Sequence, residues 1–433
     1  MNASLLQQTE VALQRGQSAV QTALGALAGA SSDAKGVDAG LERNQGAAMR
    51  LAHAHAQLFA AREMLAYGKV GALEASLAAA FGGLTLQMLR DQLSAAALHL
   101  DGIGSAVTDF AGHADVLAVL RATTSPAFHA QTLEAIDRRQ SDGADSLGEE
   151  HKLLRATFRA FADRKVRPAA EHIHRHDELI PDTLIREAAE LGCFGLSIPQ
   201  AYGGVQDKPD NVGMVVVTEE LCRGALIVGS LITRPEILAK ALLKGGTEAQ
   251  RQRFLPPMAS GEKMVAISVT EPDFGSDVGS IVCAARWDGS AWRLSGAKTW
   301  CTFAGRAELI GLLARTGDAS QGYKGLSLFV VEKPAFSGHD FEHVQPGGGR
   351  MTGRAIATLG YRGMHSYELT FDDYILPADN LVGGDGGRGK GFYLQMEGFA
   401  YGRLQTAGRA LGLMQAAWEA ALGYARERKV FGQ

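Results

Sequence analysis

Residues 266–277 read AISVTEPDFGSD, and one hairpin further on residues 291–302 read AWRLSGAKTWCT. In the first stretch Gly275 and its small neighbours let a ligand approach the backbone, and Ser276 is placed to donate to a phosphate oxygen. Thr270 can donate to a ring carbonyl. In the second stretch Trp300 offers a flat surface, with the hydroxyl of Thr302 two residues on. Either stretch alone is an ordinary turn or hairpin. In this order and at this spacing, the pair asks for a flavin dinucleotide, FAD.

The texture around the pair is that of a sheet. VCAARW, AWRLSGAKTW, LIGLLART, GLSLFVVEK and YELTFDDYIL are short alternating or apolar runs separated by Asp-Gly-Ser and Gly-rich turns, which predicts antiparallel strands over residues 263–385. Helical spacing flanks them on both sides. Over 149–262, LLRATFRAFADRKV, LIREAAELGCFGL and VGMVVVTEELCRGALI recur at three- and four-residue steps, and the pattern returns over 386–433. Residues 1–140 are rich in Ala, Leu and Gln and poor in β-branched residues, a helical extension whose faces run through Leu51, His55, Leu58, Ala61, Leu65 and through Leu86, Leu89, Leu93, Ala97, with Gly82-Gly83 as punctuation. RRQSDGADSLGEE, residues 138–150, reads as a linker. The fold expected is therefore α+β and multidomain: two helical blocks, a barrel-like β-domain, and the start of a C-terminal helical bundle. The last helix has no stop signal, so further packing elements are expected beyond Gln433.

The totals exclude some classes of function. With 43 basic and 47 acidic residues the net charge is -4, and no Lys/Arg run is dense enough for a nucleic acid backbone. Cys193, Cys222, Cys283 and Cys301 form no C-x-x-C pair and read as reduced thiols of a cytoplasmic protein. No signal peptide is visible at the N-terminus, and no window reads as a membrane span. G-x-S-x-G, Walker and H-E-x-x-H motifs are absent, which removes the commonest hydrolases.

Other eye-catching residues have bland readings. Glu271, Asp273 and Asp277 fit solvated turn formers better than a pair of catalytic carboxylates. GGDGGRGKG, residues 383–391, lies outside any βαβ unit and reads as a loop leading into a helix. In HIHRH only His172 and His176 share a helical face, and a solvated surface is favoured over a metal site.

Tyr202-Gly203-Gly204, Glu219-Glu220-Leu221, GTEAQRQRFLPPMASGE, TEPDFGSD, GAKTWCT, LGYRGMHSYELTFDDYILPADNLVG and RERKVFG follow one another in an order that resembles the acyl-CoA dehydrogenases, over about two-thirds of the chain. The resemblance implies a helical domain, a β-domain and a second helical domain around FAD and an acyl-CoA thioester. It implies that Ile267, Val269, Thr270, Gly275 and Ser276 contact the flavin and its pyrophosphate, and that Trp300, Cys301 and Thr302 flank the ring. It implies that Arg428 and Phe431 reach the dinucleotide of a neighbouring subunit in a homodimer or homotetramer. Ser276 and Tyr401-Gly402-Arg403 would touch the CoA arm, and an electron-transfer flavoprotein would take the electrons. The implied chemistry is removal of the α-proton by a carboxylate while the β-carbon gives hydride to the flavin.

Two departures from the family pattern stand out. In one branch the base is a glutamate immediately before the arginine of the first C-terminal helix, but Gly402 stands there; in the other it belongs to a Y-E-G-T segment absent from these residues. The base is thus expected beyond Gln433, with Glu397 a weak substitute and the chain as given inactive. The N-terminal extension, TRPEI and GYRGMHSYEL resemble a branch that oxidises a short, branched, carboxylated acyl-CoA, methylsuccinyl-CoA to mesaconyl-CoA, and Arg234 would pair with the distal carboxylate. An oxidase of the same fold and a non-catalytic flavin- or CoA-binding protein are the alternatives.

Overall fold

A computed structural model describes residues 2–31, 37–139, 143–205 and 208–432. The chain divides into two compact units, Met1–Ser146 and Leu147–Gln433.

The first unit is helical: α1 (Asn2–Ser31), α2 (Val37–Arg43), α3 (Gln45–Tyr67), α4 (Ala72–Ala96), α5 (Gly104–Gly112), α6 (Ala114–Thr123) and α7 (Pro126–Arg139). Its core takes Leu51, Ala54, Leu58, Ala61 and Leu65 from α3 and Leu86, Leu89, Leu93 and Ala96 from α4. His55, expected on the apolar face, is exposed, and Ala54 fills that place, because the smaller residue lets α3 lie close to its neighbours. Gly82 and Gly83 do not punctuate the chain. They sit inside α4, where an added Cβ would come within 2.2 Å of Thr9 Cγ2 and 2.2 Å of Thr123 Oγ1, respectively. The same helix corrects the membrane reading, being long and apolar enough to cross a bilayer by length and composition alone; most of it is buried in this unit.

The second unit opens with α8 (Glu149–Phe161), α9 (Arg167–His176), α10 (Asp182–Glu190), α11 (Asn211–Gly224), α12 (Leu226–Leu231), α13 (Thr233–Gly245) and α14 (Glu248–Ala259). A mixed sheet follows: β1 (Val265–Ser268), β2 (Ala284–Trp287), β3 (Trp292–Thr302), β4 (Leu309–Arg315), β5 (Leu326–Glu332), β6 (Asp340–Val344), β7 (Arg350–Ile356) and β8 (Ser366–Leu376), in the order β1-β4-β2-β3-β8-β7-β6 with β5 on β4. Most pairs are antiparallel as expected, but β4 lies parallel to β1 and, at Ala284 and Arg315, to β2. The strand core is apolar on alternate positions, with Leu294, Tyr367, Leu369, Phe371 and Tyr374 all buried. The chain then enters α15 (Gly391–Glu427), which packs on α11 and α13.

A buried ion network ties α8, α11 and α15 together. Glu220, with no exposed side-chain surface, receives Arg159 and Arg223, and Arg223 also reaches Asp163 and Glu419. Each charge buried there has an opposite partner, the condition for tolerating it.

Candidate active site

Strand β3 departs from regular pairing where the second quoted motif ends. Lys298 faces Leu369 of β8 and Cys301 faces Tyr367, three steps on one strand against two on the other, so one extra residue is inserted. Trp300 falls in this bulge with a φ of 57°. That left-handed conformation costs a bulky residue on the order of 1–3 kcal/mol. In return the indole is turned outwards and is 56% exposed. The Thr299 amide donates to the Thr270 carbonyl at 2.9 Å, which binds the loop after β1 to the bulge.

A buried ion pair anchors the same loop. Glu271, 3% exposed, accepts from Lys298 Nζ at 2.8 Å and from the Val282 and Cys283 amides at 2.7 and 3.0 Å. Lys298 also donates to the Val269 carbonyl at 2.9 Å. Glu271 is therefore no solvated turn former: its carboxylate satisfies donors that lie off the strand ladder. Asp273 and Asp277 are exposed.

Facing the bulge stands a helical wall. On α15, Phe399, Gly402, Thr406 and Arg409 recur at steps of three and four; α13 adds Thr233, Arg234 and Ile237. With Ile267, Val269, Thr270, Thr299, Trp300, Thr302 and Arg403 they line a cleft of about 320 Å³. The helices meet closely because α15 presents glycine to α13: a Cβ on Gly398 would stand 2.5 Å from the Ile237 carbonyl oxygen, and one on Gly402 would stand 3.0 Å from Ile237 Cδ1. A side chain at 402 would require Ile237 to give by a few tenths of an ångström. Arg234 Nη1 donates to the Ser230 carbonyl at 2.8 Å and to the Tyr361 hydroxyl at 3.0 Å. Thr302 Oγ1 lies 2.9 Å from Ser366 Oγ.

Of the residues singled out in the sequence, Ile267, Val269, Thr270, Trp300, Thr302, Arg234, Gly402 and Arg403 meet in this cleft, and the others lie elsewhere. Cys301 is fully buried, its Sγ 3.1 Å from Ser268 Oγ, and burial pushes the thiol up to about 11; strand alternation sends it into the sheet core, away from its two neighbours. Gly275 and Ser276 are exposed on the loop. Beyond them Asp277 and Gly279 join Arg315, Lys324 and Arg388 in lining a groove of about 1380 Å³. Tyr401 turns from the cleft to place its ring 4.3 Å from Lys240 Nζ. Arg428 and Phe431 follow the end of α15, where Arg428 donates to Tyr424 at 2.7 Å. At about 1.5 Å per residue, Arg428 stands roughly 28 Å along the helix axis from Arg409, out of reach of this cleft. Glu397 is half-buried and not on the lining, and no carboxylate is among the side chains that line the cleft.

Sequence reasoning missed Thr299, Tyr361, Phe399, Thr406 and Arg409. The helical spacing from Gly402 gives Phe399, Thr406 and Arg409. Tyr361 has no local signal, since it comes from the loop between β7 and β8, 127 positions from Arg234. Away from the cleft, Asp177, His339 and His365 gather ligand-type atoms within 4.8 Å of one another. Asp177 there accepts from His365 Nε2 at 3.1 Å and lies 3.8 Å from Arg362 Nε, so it is already ion-paired.

Family models for the acyl-CoA dehydrogenase N-terminal, middle and C-terminal domains match residues 148–262, 266–374 and 389–433. A short-chain specific acyl-CoA dehydrogenase from Clostridium acetobutylicum is 32% identical over 289 residues, 66% of this chain and 71% of that protein. The chain belongs to the acyl-CoA dehydrogenase family. Within it, the (2S)-methylsuccinyl-CoA dehydrogenase of Cereibacter sphaeroides is 45% identical over 320 residues, 73% of this chain but 57% of that protein's length. The solved glutaryl-coenzyme A dehydrogenase glutaryl-CoA complex matches with a TM-score of 0.60 and 30% identity, covering 67% of this chain and 70% of that one. Acyl-CoA dehydrogenases depend on FAD. The cleft fits a flavin on its own geometry: an aromatic side chain held exposed in a strained conformation, with the hydroxyls of Thr270, Thr299 and Thr302 on the same lining, suits a flat ring with carbonyl edges.

Proposed function

We propose that this chain is part of an FAD-dependent acyl-CoA dehydrogenase acting on a short, branched, carboxylated thioester, methylsuccinyl-CoA to mesaconyl-CoA. The observation that carries the reading is that the exposed Trp300 surface and the Arg234 guanidinium, which pairs with no carboxylate among the described residues, open into one cleft. The likeness to methylsuccinyl-CoA dehydrogenase and to a dehydrogenase solved with glutaryl-CoA, another carboxylated thioester, supports it.

When bound, FAD supplies the acceptor for the hydride that leaves the thioester's β-carbon. Trp300 and Thr302 would hold its ring, and the Thr270 hydroxyl would donate to a ring carbonyl. Ile237, Ile267 and Phe399 make the wall apolar, which excludes water and strengthens the polar contacts inside. Arg234 orients the distal carboxylate, and so sets which carbon faces the ring. Ser276, on the loop after Thr270, and Gly402-Arg403, on α15, would receive the CoA arm. The α-proton leaves to a carboxylate; since none lines the cleft, the described residues supply binding, orientation and desolvation. Electrons pass on to an electron-transfer flavoprotein. Met414, Trp418 and Tyr424, exposed along the end of α15, and Phe431 just beyond it support association into a homodimer or homotetramer in which Arg428 and Phe431 meet a neighbour's cofactor.

Anaerobic titration of the flavin absorbance tests the substrate. Methylsuccinyl-CoA is expected to bleach it at lower concentration than butyryl-CoA or longer acyl-CoAs; bleaching by the long chains alone overturns the assignment. Arg234→Met is expected to remove the preference for the carboxylated thioester.

A further inference from the structure

We infer that Arg409 and Arg234, joined by the hydroxyl of Tyr361, form a two-guanidinium cradle for the distal carboxylate of a short acyl-CoA. This rests on the substrate reading above and names the groups that would enforce it. Arg409 Nη1 donates to the Tyr361 hydroxyl at 3.2 Å, the same oxygen that Arg234 Nη1 reaches at 3.0 Å. Both arginines line the 320 Å³ cleft. Arg409 is steadied by Ser230 Oγ at 3.3 Å and Thr406 Oγ1 at 2.9 Å, and its Nε is buried without a hydrogen-bond partner.

Two cations that converge on one neutral oxygen repel each other, and among the described residues neither has a carboxylate within ion-pair distance. Elsewhere the same fold treats a buried guanidinium differently: Arg223 has Asp163, Glu220 and Glu419 around it. Arg234 and Arg409 instead have no such carboxylate among the described residues and open into the cleft. Tyr361 accepts from both, so its own O–H is left to donate. It is held there with a φ of 67°, a conformation that an aromatic residue adopts only when the surroundings impose it. Two guanidinium groups on the cleft lining, bridged by the Tyr361 phenol, are complementary to a carboxylate and to little else on a short acyl chain.

The test is calorimetric, on the oxidised FAD-loaded protein, with two enoyl-CoA esters that differ only in a terminal carboxylate or methyl group, mesaconyl-CoA and tiglyl-CoA. Wild type is expected to bind the carboxylated ester more tightly. In Arg409→Gln the ratio of the two dissociation constants is expected to fall roughly 10- to 100-fold, the usual consequence of removing one partner of a desolvated charged contact. Arg409→Lys, which keeps the charge but not the fork, and Tyr361→Phe, which keeps the ring, are each expected to lower the ratio roughly 3- to 10-fold. The two conservative variants decide the matter if Arg409→Gln loses its flavin or its fold. An unchanged ratio in the variants, or equal weakening of both esters, overturns the cradle while leaving the substrate reading in place. A wild-type protein indifferent to the carboxylate overturns both.

Discussion

Lys333 is a buried amine whose surroundings disfavour its charge. It is 6% exposed, lies 5.1 and 4.8 Å from the centres of the Phe336 and Phe341 rings, and donates to the Gly305 and Pro334 carbonyls at 2.8 and 2.9 Å. Burial pulls its pKa down to about 7, with Glu308 opposing. In the unfolded chain a lysine titrates near about 10.4. Below pH 7 both states carry the charge and the cost of burying it is fully present; as pH rises from 7 towards 10.4 the folded state sheds the proton first and the cost is relieved. Wild type is therefore expected to gain stability relative to Lys333→Met across that window, read from denaturant midpoints at pH 6.5 and 9.5. The Glu271–Lys298 pair behaves otherwise, because each charge compensates the other at 2.8 Å with almost no exposure. Lys298→Met strands a buried carboxylate and is expected to cost roughly 3–5 kcal/mol in chemical denaturation, part of which the double change with Glu271→Gln recovers. Residue types alone picked out Thr270, Trp300 and Thr302, which line one cleft, since hydroxyl and indole chemistry is local. Residue types misjudged Glu271, and the resemblance misplaced Cys301, because burial depends on what packs over a side chain.

At the scale of elements, α15 is shaped by what it touches. An added Cβ on Gly412 would lie 2.3 Å from the Glu219 carbonyl oxygen and 2.8 Å from the Arg223 amide, both backbone atoms that cannot swing aside. Gly412→Ala is expected to cost about 1–3 kcal/mol through overpacking. At Gly423, where nothing lies within 4 Å, the same change is expected to raise the melting temperature by relieving the helix of glycine's entropy. Thermal melts of the two variants should move in opposite directions. The strands β2, β3, β4, β5 and β8 were legible as alternating or apolar runs. The edge strand β6 and its neighbour β7 were not: DFEHV and RMTGRAI carry charged and glycine residues that blur a period of two. The bulge in β3 was also hidden, since an inserted residue shows only against its partner strand.

For the whole molecule, the division at Ser146 and Leu147 separates two sets of buried side chains. Residues 1–146 close their own core and are expected, expressed alone, to give a helical circular dichroism spectrum and a cooperative melt without binding flavin; loss of helicity in isolation would contradict this. The colour should travel with residues 147–433. The sequence by itself determined the succession of helical, strand and helical blocks and the motif whose residues line the cleft, because periodicity and residue chemistry are properties of neighbours along the chain. Only the tertiary structure decided that Gly402 touches Ile237, that Cys301 turns inward, and that Arg234, Tyr361 and Arg409 converge. The last two contacts, of Tyr361 with Arg234 and with Arg409, join residues 127 and 48 positions apart, and nothing local encodes how closely two helices and a loop will approach.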